Sequence, residues 1–251
     1  MKKKNIAVIL LIAVAFLLCA CSGKSDGPQG MVKAEDTAES SVVSGQVSTE
    51  GPEGPEDSQA VPNENPLSLG RIQGGTYTNE YIGLECQLDD SWEFFSAEEL
   101  QQMPELVAEA LEGSALEETL DKYSQITDIQ AECVDDMTGF NIIYRKMSME
   151  ERLWYIGKSD EDVINELLKQ QELMAESYAQ AGMEVQEMGS QEVNFLGEKR
   201  TALYTYCKIG DVDYYILQIF ENDLGSYAVT MTFNSFVENN AQQVMDLFYK
   251  A

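Results

Sequence analysis

The sequence predicts an α+β fold, an antiparallel β-sheet flanked by helices and preceded by a signal peptide and a disordered tether. Residues 76–251 alternate between period-two segments, which are typical of half-buried strands, and segments with helical spacing. Short turns join most of the strand candidates and long helices interrupt them at three places, which favours hairpins over parallel crossovers. These residues hold every aromatic side chain except Phe16, so a core of ordinary size can form there.

The N-terminus has the features of a bacterial lipoprotein signal. Lysines at positions 2–4 precede an unbroken apolar run over residues 6–20, which is short for a membrane-spanning helix. The run ends in Leu18-Cys19-Ala20-Cys21, which resembles the lipobox of exported lipoproteins. The resemblance implies cleavage after Ala20 and attachment of diacylglycerol to the sulfur of Cys21, which anchors such proteins in the membrane. The alternative is an uncleaved N-terminal helix in which Cys21 is an ordinary thiol.

The segment after the signal has the composition of a disordered linker. Residues 22–75 contain no aromatic side chain and five of the six prolines. Such a segment cannot bury enough apolar surface to offset the entropy that is lost on ordering. We therefore expect three parts: a signal peptide over residues 1–20, a lipidated acidic linker over residues 21–75, and a folded domain over residues 76–251.

The first half of the domain is predicted to contain a strand pair, a helix and a hairpin. Strands are expected over residues 76–79 and 81–88. Ser96 and Glu99 form a capping box, which predicts a helix start; its apolar face would include Leu100, Met103, Leu106, Val107, Ala110 and Leu111. A second helical piece is expected over residues 116–123. Residues 129–134 and 140–146 then predict a hairpin.

The second half of the domain is predicted to contain one long helix, a series of strands and a terminal helix. Ser159 opens the clearest helix, which we expect to end at Gly182. The strands are expected over residues 184–188 and 191–195 (alternatively one bulged strand), 200–208, 214–220 and 227–233. A capping box at Ser235 predicts a last helix that buries Val244, Leu247 and Phe248.

The composition excludes several classes of function. The chain has 16 Lys and Arg against 44 Asp and Glu, a net charge of −28, so it lacks the cations that neutralise nucleic-acid phosphates. It has no His, which excludes Ser-His-Asp and Cys-His catalysis and every imidazole metal ligand. No other catalytic, metal-binding or cofactor-binding motif is present, so we expect a protein that is not an enzyme and that carries no cofactor.

Several side-chain groups admit both a functional and a structural interpretation. Residues 160–162 are favoured as first-turn helix acids over cation ligands, and Asp89-Asp90 and Asp135-Asp136 as turn residues over calcium ligands. Cys86, Cys133 and Cys207 are favoured as buried thiols, although a single disulfide among them is the alternative. Five aromatic residues are favoured as core residues over a ligand platform: Tyr204, Tyr206, Tyr214, Tyr215 and Phe220.

The order of elements and several short signatures resemble the PsbP-like superfamily. The signatures are Tyr77 to Gly83 followed by Trp92, Leu196 to Ala202, Gly210 to Tyr215, and the strand from Tyr227 to Phe233 before the last helix. The resemblance implies an α/β/α sandwich over most of the domain. It transfers no catalytic residue, because a shared fold does not carry a shared activity.

Together these features predict a lipoprotein on the outer face of the cytoplasmic membrane whose domain is a non-enzymatic binding module. Its membrane contact would be the diacylglycerol on Cys21. With 10 cations against 35 acids, the domain has a net charge of −25, which favours a basic protein or a cationic polymer as its partner. The alternative is a cell-wall-directed hydrolase that uses paired carboxylates.

Overall fold

The structure is a computed structural model that describes residues 67–102, 125–222, 224–238 and 240–251. Its strands are β1 (Arg71–Gln73), β2 (Thr76–Asn79), β3 (Leu84–Gln87), β4 (Trp92–Phe94), β5 (Gln125–Cys133), β6 (Gly139–Lys146), β7 (Glu184–Phe195), β8 (Glu198–Ile209), β9 (Val212–Glu221), β10 (Tyr227–Ser235) and β11 (Phe248–Lys250). The helices are α1, which begins at residue 97 and is described to residue 102, α2 (Met149–Tyr155), α3 (Asp160–Leu168), α4 (Gln171–Gln180) and α5 (Asn240–Met245).

The strands form two antiparallel sheets. The central sheet has seven strands in the order β4-β5-β6-β10-β9-β8-β7, and the small sheet has four in the order β1-β2-β3-β11. Hairpins build most of the central sheet, since β5 pairs with β6 and β7 to β10 pair in succession. Strand β10 also pairs with β6, and this contact joins the two halves of the chain. The predicted α+β class with antiparallel pairing is confirmed.

Local capping explains where three of the helices begin. The side chain of Ser96 accepts a hydrogen bond from the backbone N–H of Glu99, and the Glu99 carboxylate accepts from the backbone N–H of Ser96. Ser148 and Ser159 form the same reciprocal box at the starts of α2 and α3. Each box satisfies two backbone donors that a helix start leaves without a partner.

The two faces of the central sheet are buried differently. One, the core face, packs against the small sheet and α5, and the ring of Phe248 lies at the centre of this contact. Its centroid is 4.9 Å from that of Phe140, 5.6 Å from Phe233 and 6.1 Å from Phe195. The other, the helix face, is covered over its β8 side by apolar residues of α3 and α4, among them Ile164 and Met174.

Several elements differ from the sequence-based expectations. The single helix expected from Ser159 to Gly182 is two helices, with Lys169 and Gln170 between them and no Gly or Pro to mark the break. Helix α2 was not predicted. It is only about two turns long, and its apolar residues Met149 and Leu153 are exposed to solvent. Residues 184–195 form one strand with a bulge after Val185, which was the stated alternative.

The C-terminal segment differs most. Ser235 does not cap a helix, because its Oγ accepts from the N–H of Val237 and forms a turn at the end of β10. The helix begins at Asn240 instead. Phe248 is buried as expected, but it belongs to β11, which pairs with β3. The Schellman bonds that end α4 confirm the stop at Gly182, where φ is +79°. The expected helical residues 103–111 and 116–123 lie outside the described residues.

Candidate functional site

Three tyrosines lie side by side on the core face, at the end of the central sheet where β8 stops and β9 begins. Tyr206 and Tyr215 are register partners on these strands, and their rings stack with centroids 5.0 Å apart and planes 11° apart. Tyr204 precedes Tyr206 by two residues, so strand alternation places it on the same face. All three side chains are half-buried and expose part of their rings to solvent. We call this group the tyrosine platform.

Carboxylates surround the tyrosine platform on three sides. Glu187 is the register partner of Tyr206 on the edge strand β7. Asp213 lies two residues before Tyr215 and accepts a hydrogen bond of 2.7 Å from the Tyr206 hydroxyl. Glu238 follows β10 in the turn that leads to α5. The Nζ atom of Lys208 lies 3.7 Å from the Asp213 Oδ1 atom and offsets part of this charge.

Burial and the neighbouring carboxylates together raise the pKa values of the three tyrosines. The hydrogen bond to Asp213, followed by burial, raises the pKa of Tyr206 to about 12. Burial is the first cause that raises the pKa of Tyr204, and the charges of Glu187 and Glu238 add to it. The pKa of Tyr215 is also raised, first by burial and then by Asp213 and Glu238. The hydroxyl groups therefore stay neutral at physiological pH, and the rings lie in a negative potential.

A glycine leaves open space beside the tyrosine platform. Gly189 is the register partner of Tyr204 on β7, and a Cβ atom placed there would meet no atom within 4 Å. Part of the Tyr204 ring can therefore be approached from the edge of the sheet. A substitution at Gly189 can fill this space without a clash.

The tyrosine platform belongs to a larger acidic end of the central sheet. The strand ends and turns that meet here carry Asp89, Asp90, Asp135, Asp136, Glu184, Glu187, Asp211, Asp213 and Glu238. Among the described strand ends and turns at this end of the sheet, Lys208 is the one basic residue. Aromatic faces in a negative field attract cations, because the ring quadrupole and the carboxylates act in the same direction. This surface can therefore bind ammonium or guanidinium groups.

The prediction that the five aromatic residues of β8 and β9 belong to the core holds for some of them and not for others. It is confirmed for Tyr214, which is buried, and for Phe220, which packs among the residues under α3 and α4. It is wrong for Tyr206 and Tyr215, which stack on a partly exposed surface, while Tyr204 lies between the core and that surface. Alternation assigned Tyr214 and Tyr215 to opposite faces, but the sequence contains no signal for where the small sheet ends.

A half-buried carboxylate, Asp128, and its cluster of partners were missed by the sequence analysis. A bulge in β5 between Thr127 and Ile129 turns Asp128 towards the core face. Its Oδ2 atom accepts from the Tyr77 hydroxyl at 2.7 Å and the Asn79 amide at 2.6 Å, and its Oδ1 atom accepts from the Gly70 N–H at 2.8 Å. Burial raises the pKa of Asp128, although the three hydrogen bonds act in the opposite direction. The cluster fastens the small sheet to the central sheet.

A row of polar side chains crosses the helix face of the central sheet. Gln130, Asn141, Thr232 and Gln218 are successive register partners on four neighbouring strands, and each is completely buried. Gln218 donates to Thr232 at 3.1 Å. The side-chain amides of Gln130, Asn141 and Asn234 make no hydrogen bond to another described residue. We call the four register partners together with Asn234 the amide row. Alternation alone would have placed such polar residues in solvent.

Four of the acids singled out from the sequence have structural roles: Asp89, Asp136, Asp160 and Asp162. Asp162 caps α3 through Ser159, and Asp160 accepts from the Arg200 guanidinium. The backbone N–H of Ser91 donates to Asp89, and that of Thr138 donates to Asp136. The three thiols of the domain are free: Cys86 and Cys207 are buried, and Cys133 is partly exposed.

The buried thiols are poor nucleophiles. Burial raises the pKa of Cys86 and of Cys207 to about 12, so the thiolate form is strongly disfavoured at neutral pH. Cys21 and Ala20 lie outside the described residues. Within the described ranges, Asp, Glu and Cys side chains form no group that could hold a metal ion. In the same ranges, no helix is both long enough and apolar enough to cross a bilayer.

Comparisons with known proteins show similarity to solved structures but not to a known sequence family. No protein-family model matches the sequence, and no curated protein matches it. The chain is similar to the solution structure of the cyanobacterial PsbP protein CyanoP from Synechocystis, at 11% sequence identity and a TM-score of 0.39. The similarity covers 77% of this chain and 99% of that protein. PsbP is also the family that the sequence signatures resemble, but an overlap of this quality carries no argument about the site, so the fold class rests on the strand order itself.

Proposed function

We propose that the protein is a lipid-anchored, extracytoplasmic binding module whose tyrosine platform and acidic end bind a cationic partner. The partner class is a basic protein segment or a cationic polymer of the cell envelope. The observation that carries this proposal is the stack of Tyr206 and Tyr215 with Asp213 and Glu187 beside it.

The proposed membrane anchor has its own support in the sequence. A basic start, a short apolar run and the lipobox-like Leu18-Cys19-Ala20-Cys21 occur together and in the required order. A cleaved signal with diacylglycerol on Cys21 would place the domain on the outer face of the cytoplasmic membrane. The acidic linker then separates the domain from the bilayer.

Mass spectrometry of the N-terminal peptide tests the anchor. In membrane fractions of the native host, we expect a peptide that begins at Cys21 and carries acyl chains. A Cys21→Ala variant should lack the modification, whereas Cys19→Ala should keep it, because Cys19 is removed with the signal. A Cys21 without acyl groups, in a peptide that continues into residues 6–20, would overturn this part of the proposal.

The cationic partner is supported by the chemistry of the surface and by long-range steering. A Lys or Arg group above an exposed tyrosine ring gains roughly 0.5–2 kcal/mol, and neighbouring carboxylates increase the attraction. The acidic end also raises the local concentration of cations at low salt. A free basic segment can reach the Tyr204 ring through the space beside Gly189.

Titration with an oligolysine peptide tests the binding surface. We expect binding that weakens as salt is raised, because exposed charges are screened. Tyr206→Ala combined with Tyr215→Ala should weaken it about tenfold, since two ring contacts are lost. Gly189→Leu should also weaken it, because the new side chain covers Tyr204.

Matched variants decide whether the effect is local. Tyr249 is an exposed tyrosine beside Glu85 on the small sheet, so Tyr249→Ala removes a similar pair elsewhere. Ser190→Leu places the same new side chain one residue from Gly189 on the opposite face. Both controls should bind the peptide like the parent chain. If they lose as much affinity as the platform variants, binding is a property of the total charge and the proposed site is wrong.

The hydrolase alternative has no comparable support in the described residues. A paired-carboxylate mechanism needs two acids that face one substrate with different pKa values. The half-buried Asp128 has a raised pKa, but its carboxylate accepts hydrogen bonds from Tyr77, Asn79 and Gly70.

A further inference from the structure

Strand β7 forms a long open edge of the central sheet. It has 12 residues and, among the described strands, pairs with β8 alone. The other edge strands of the two described sheets, β1, β4 and β11, have 3 residues each. A strand edge presents backbone N–H and C=O groups that can pair with another chain, so proteins commonly shorten, charge or cover their edges. The length of β7 makes it the edge of this domain that is best suited to pairing.

The turn between β7 and β8 fixes which backbone groups of β7 point outward. Leu196 and Gly197 have φ values of 55° and 79°, as in a type I′ turn. In such a hairpin the flanking residues, Phe195 and Glu198, form a hydrogen-bonded pair, and bonded pairs then alternate with non-bonded pairs along the ladder. The backbone groups that point away from β8 therefore belong to residues 188, 190, 192 and 194.

The middle of this edge is uncovered. At one end, the Nε2 atom of Gln242 on α5 donates to the Asn194 carbonyl at 3.0 Å, which confirms that this carbonyl points outward. At the other end, the bulge after Val185 interrupts the ladder. Between these ends, the outward backbone groups of residues 188, 190 and 192 have no hydrogen-bond partner in the described part of the chain. Residues 188–191 carry no charge and no proline that would oppose pairing.

Gly189 connects this edge with the tyrosine platform. It lies between the edge and Tyr204, its register partner on β8, and the space beside it is open. A residue opposite Gly189 on an added strand would have its Cα roughly 10 Å from that of Tyr204, a distance that a Lys or Arg side chain can span above the glycine. Glu187 lies two residues from Gly189 on the same face, so it would be the diagonal neighbour of that cation.

The charges along the edge select a basic segment as the occupant. Strand β7 carries three acids, Glu184, Glu187 and Glu192, and no cation. The cations of β8 already contact acids of this chain: Lys199 contacts Glu192, Arg200 contacts Asp160 and Glu221, and Lys208 contacts Asp213. A second copy of the chain would place another acidic β7 and another net charge of −25 against the first, so like charges oppose self-pairing.

We propose that the cationic partner is a basic protein segment that binds as an extended strand, added antiparallel to β7, with a Lys or Arg side chain laid over Gly189 onto Tyr204. This inference rests on the proposed function and names how the partner is held. The partner backbone pairs with residues 188, 190 and 192, and the antiparallel direction continues the pattern of the whole sheet. In strand addition, backbone hydrogen bonds supply affinity and alternate side chains supply specificity.

Backbone methylation of a peptide tests strand addition. The probe is a short, fluorescently labelled peptide of alternating Lys and Thr, and its anisotropy is measured as the full chain is titrated. With Lys opposite Gly189, the Thr N–H groups point to β7 and the Lys N–H groups point away from it. N-methylation of the Thr residues should therefore weaken binding about tenfold, because hydrogen bonds to β7 are lost. N-methylation of the Lys residues, the matched control, should leave the Kd within about twofold of the parent peptide.

A variant of the edge tests the same contact from the protein side. Ser190→Pro removes one outward N–H, and proline is tolerated at an edge position whose N–H faces solvent. We expect about tenfold weaker binding of the unmethylated peptide, whereas Ser190→Ala should bind like the parent chain. Thermal unfolding checks that the proline variant is folded, and the methylated peptides need no substitution in the protein at all.

The outcomes separate this inference from the proposed function. If the unmethylated peptide does not bind, the proposed cationic site is wrong. If it binds through the tyrosine platform but both methylated peptides bind equally well, or equally poorly, the cationic site stands and strand addition is overturned. If methylation of Lys weakens binding and methylation of Thr does not, the antiparallel pairing is overturned.

Discussion

The two polar clusters inside this domain lie on opposite faces of the same sheet and differ in how their polar atoms are paired. On the core face, the Asp128 carboxylate receives three hydrogen bonds, and Asn79 also donates to the Tyr144 hydroxyl at 2.9 Å. On the helix face, the amides of Gln130, Asn141 and Asn234 are completely buried and have no partner among the described residues. Burial of a polar group costs free energy unless a hydrogen bond replaces the water it loses. The Asp128 cluster therefore stabilises the fold, whereas the amide row costs stability.

The largest expected effect is the loss of the Asp128 carboxylate. Asp128→Ala should lower the free energy of unfolding by about 3 kcal/mol, because Tyr77, Asn79 and Gly70 would keep buried donors without an acceptor. Urea denaturation measures the change. Asp135→Ala, in an exposed turn, should stay within about 0.5 kcal/mol of the parent chain. A change as small as this for Asp128→Ala would show that the cluster does not fasten the two sheets together.

A smaller effect of opposite sign is expected in the amide row. Gln130→Met keeps the side-chain volume and removes an amide that lacks a partner in the described structure, so it should stabilise the domain by about 1 kcal/mol. The same substitution at Gln87, which is exposed on β3, should be nearly neutral. Thermal unfolding measures both. A clear loss of stability in Gln130→Met would mean that this amide is satisfied in the folded protein, and the contrast between the clusters would disappear.

The third expected effect is a pH dependence that belongs to Asp128. Its pKa is raised in the folded state, so folding favours the protonated form. The stability that this group contributes is then fully present below its unfolded pKa and is lost as pH rises through the folded pKa. The difference in unfolding free energy between the parent chain and Asp128→Asn should therefore shrink as pH is raised from 4 to neutrality. A difference that grows over this interval would show that the hydrogen bonds, rather than burial, dominate the titration.

The two ends of the central sheet also differ at the surface. The acidic end combines half-buried tyrosine rings with carboxylates, whereas the opposite end carries a short helix with the exposed apolar side chains of Met149 and Leu153.

Much of the fold could be predicted from local patterns. Alternation over residues 82–88 identified the strand that contains β3, and hairpin turns set the neighbours of β7 to β10. The capping boxes at Ser96 and Ser159 marked two helix starts. These signals are local, because hydrogen bonds within one turn and the period of one strand depend only on nearby residues.

The candidate sites could be predicted only in part. The aromatic residues of β8 and β9 were identified from the sequence, but their exposure depends on where the small sheet ends. Asp128 was missed because the strand was expected to begin at residue 129, whereas β5 begins at Gln125 and has a bulge at Asp128. The amide row was missed because period-two alternation indicates which face of a strand is polar. It does not indicate whether other elements pack on that face and bury it.

By itself, the sequence determined the antiparallel α+β class, the high negative charge, the absence of histidine chemistry, and most strand positions. Tertiary structure alone decided that residues 248–250 join a second sheet, that Asp128 lies among three donors, and that acids from separate turns meet at one end of the central sheet. The physical reason is range: periodicity and capping act over a few residues, whereas burial and charge separation depend on which distant strands become neighbours.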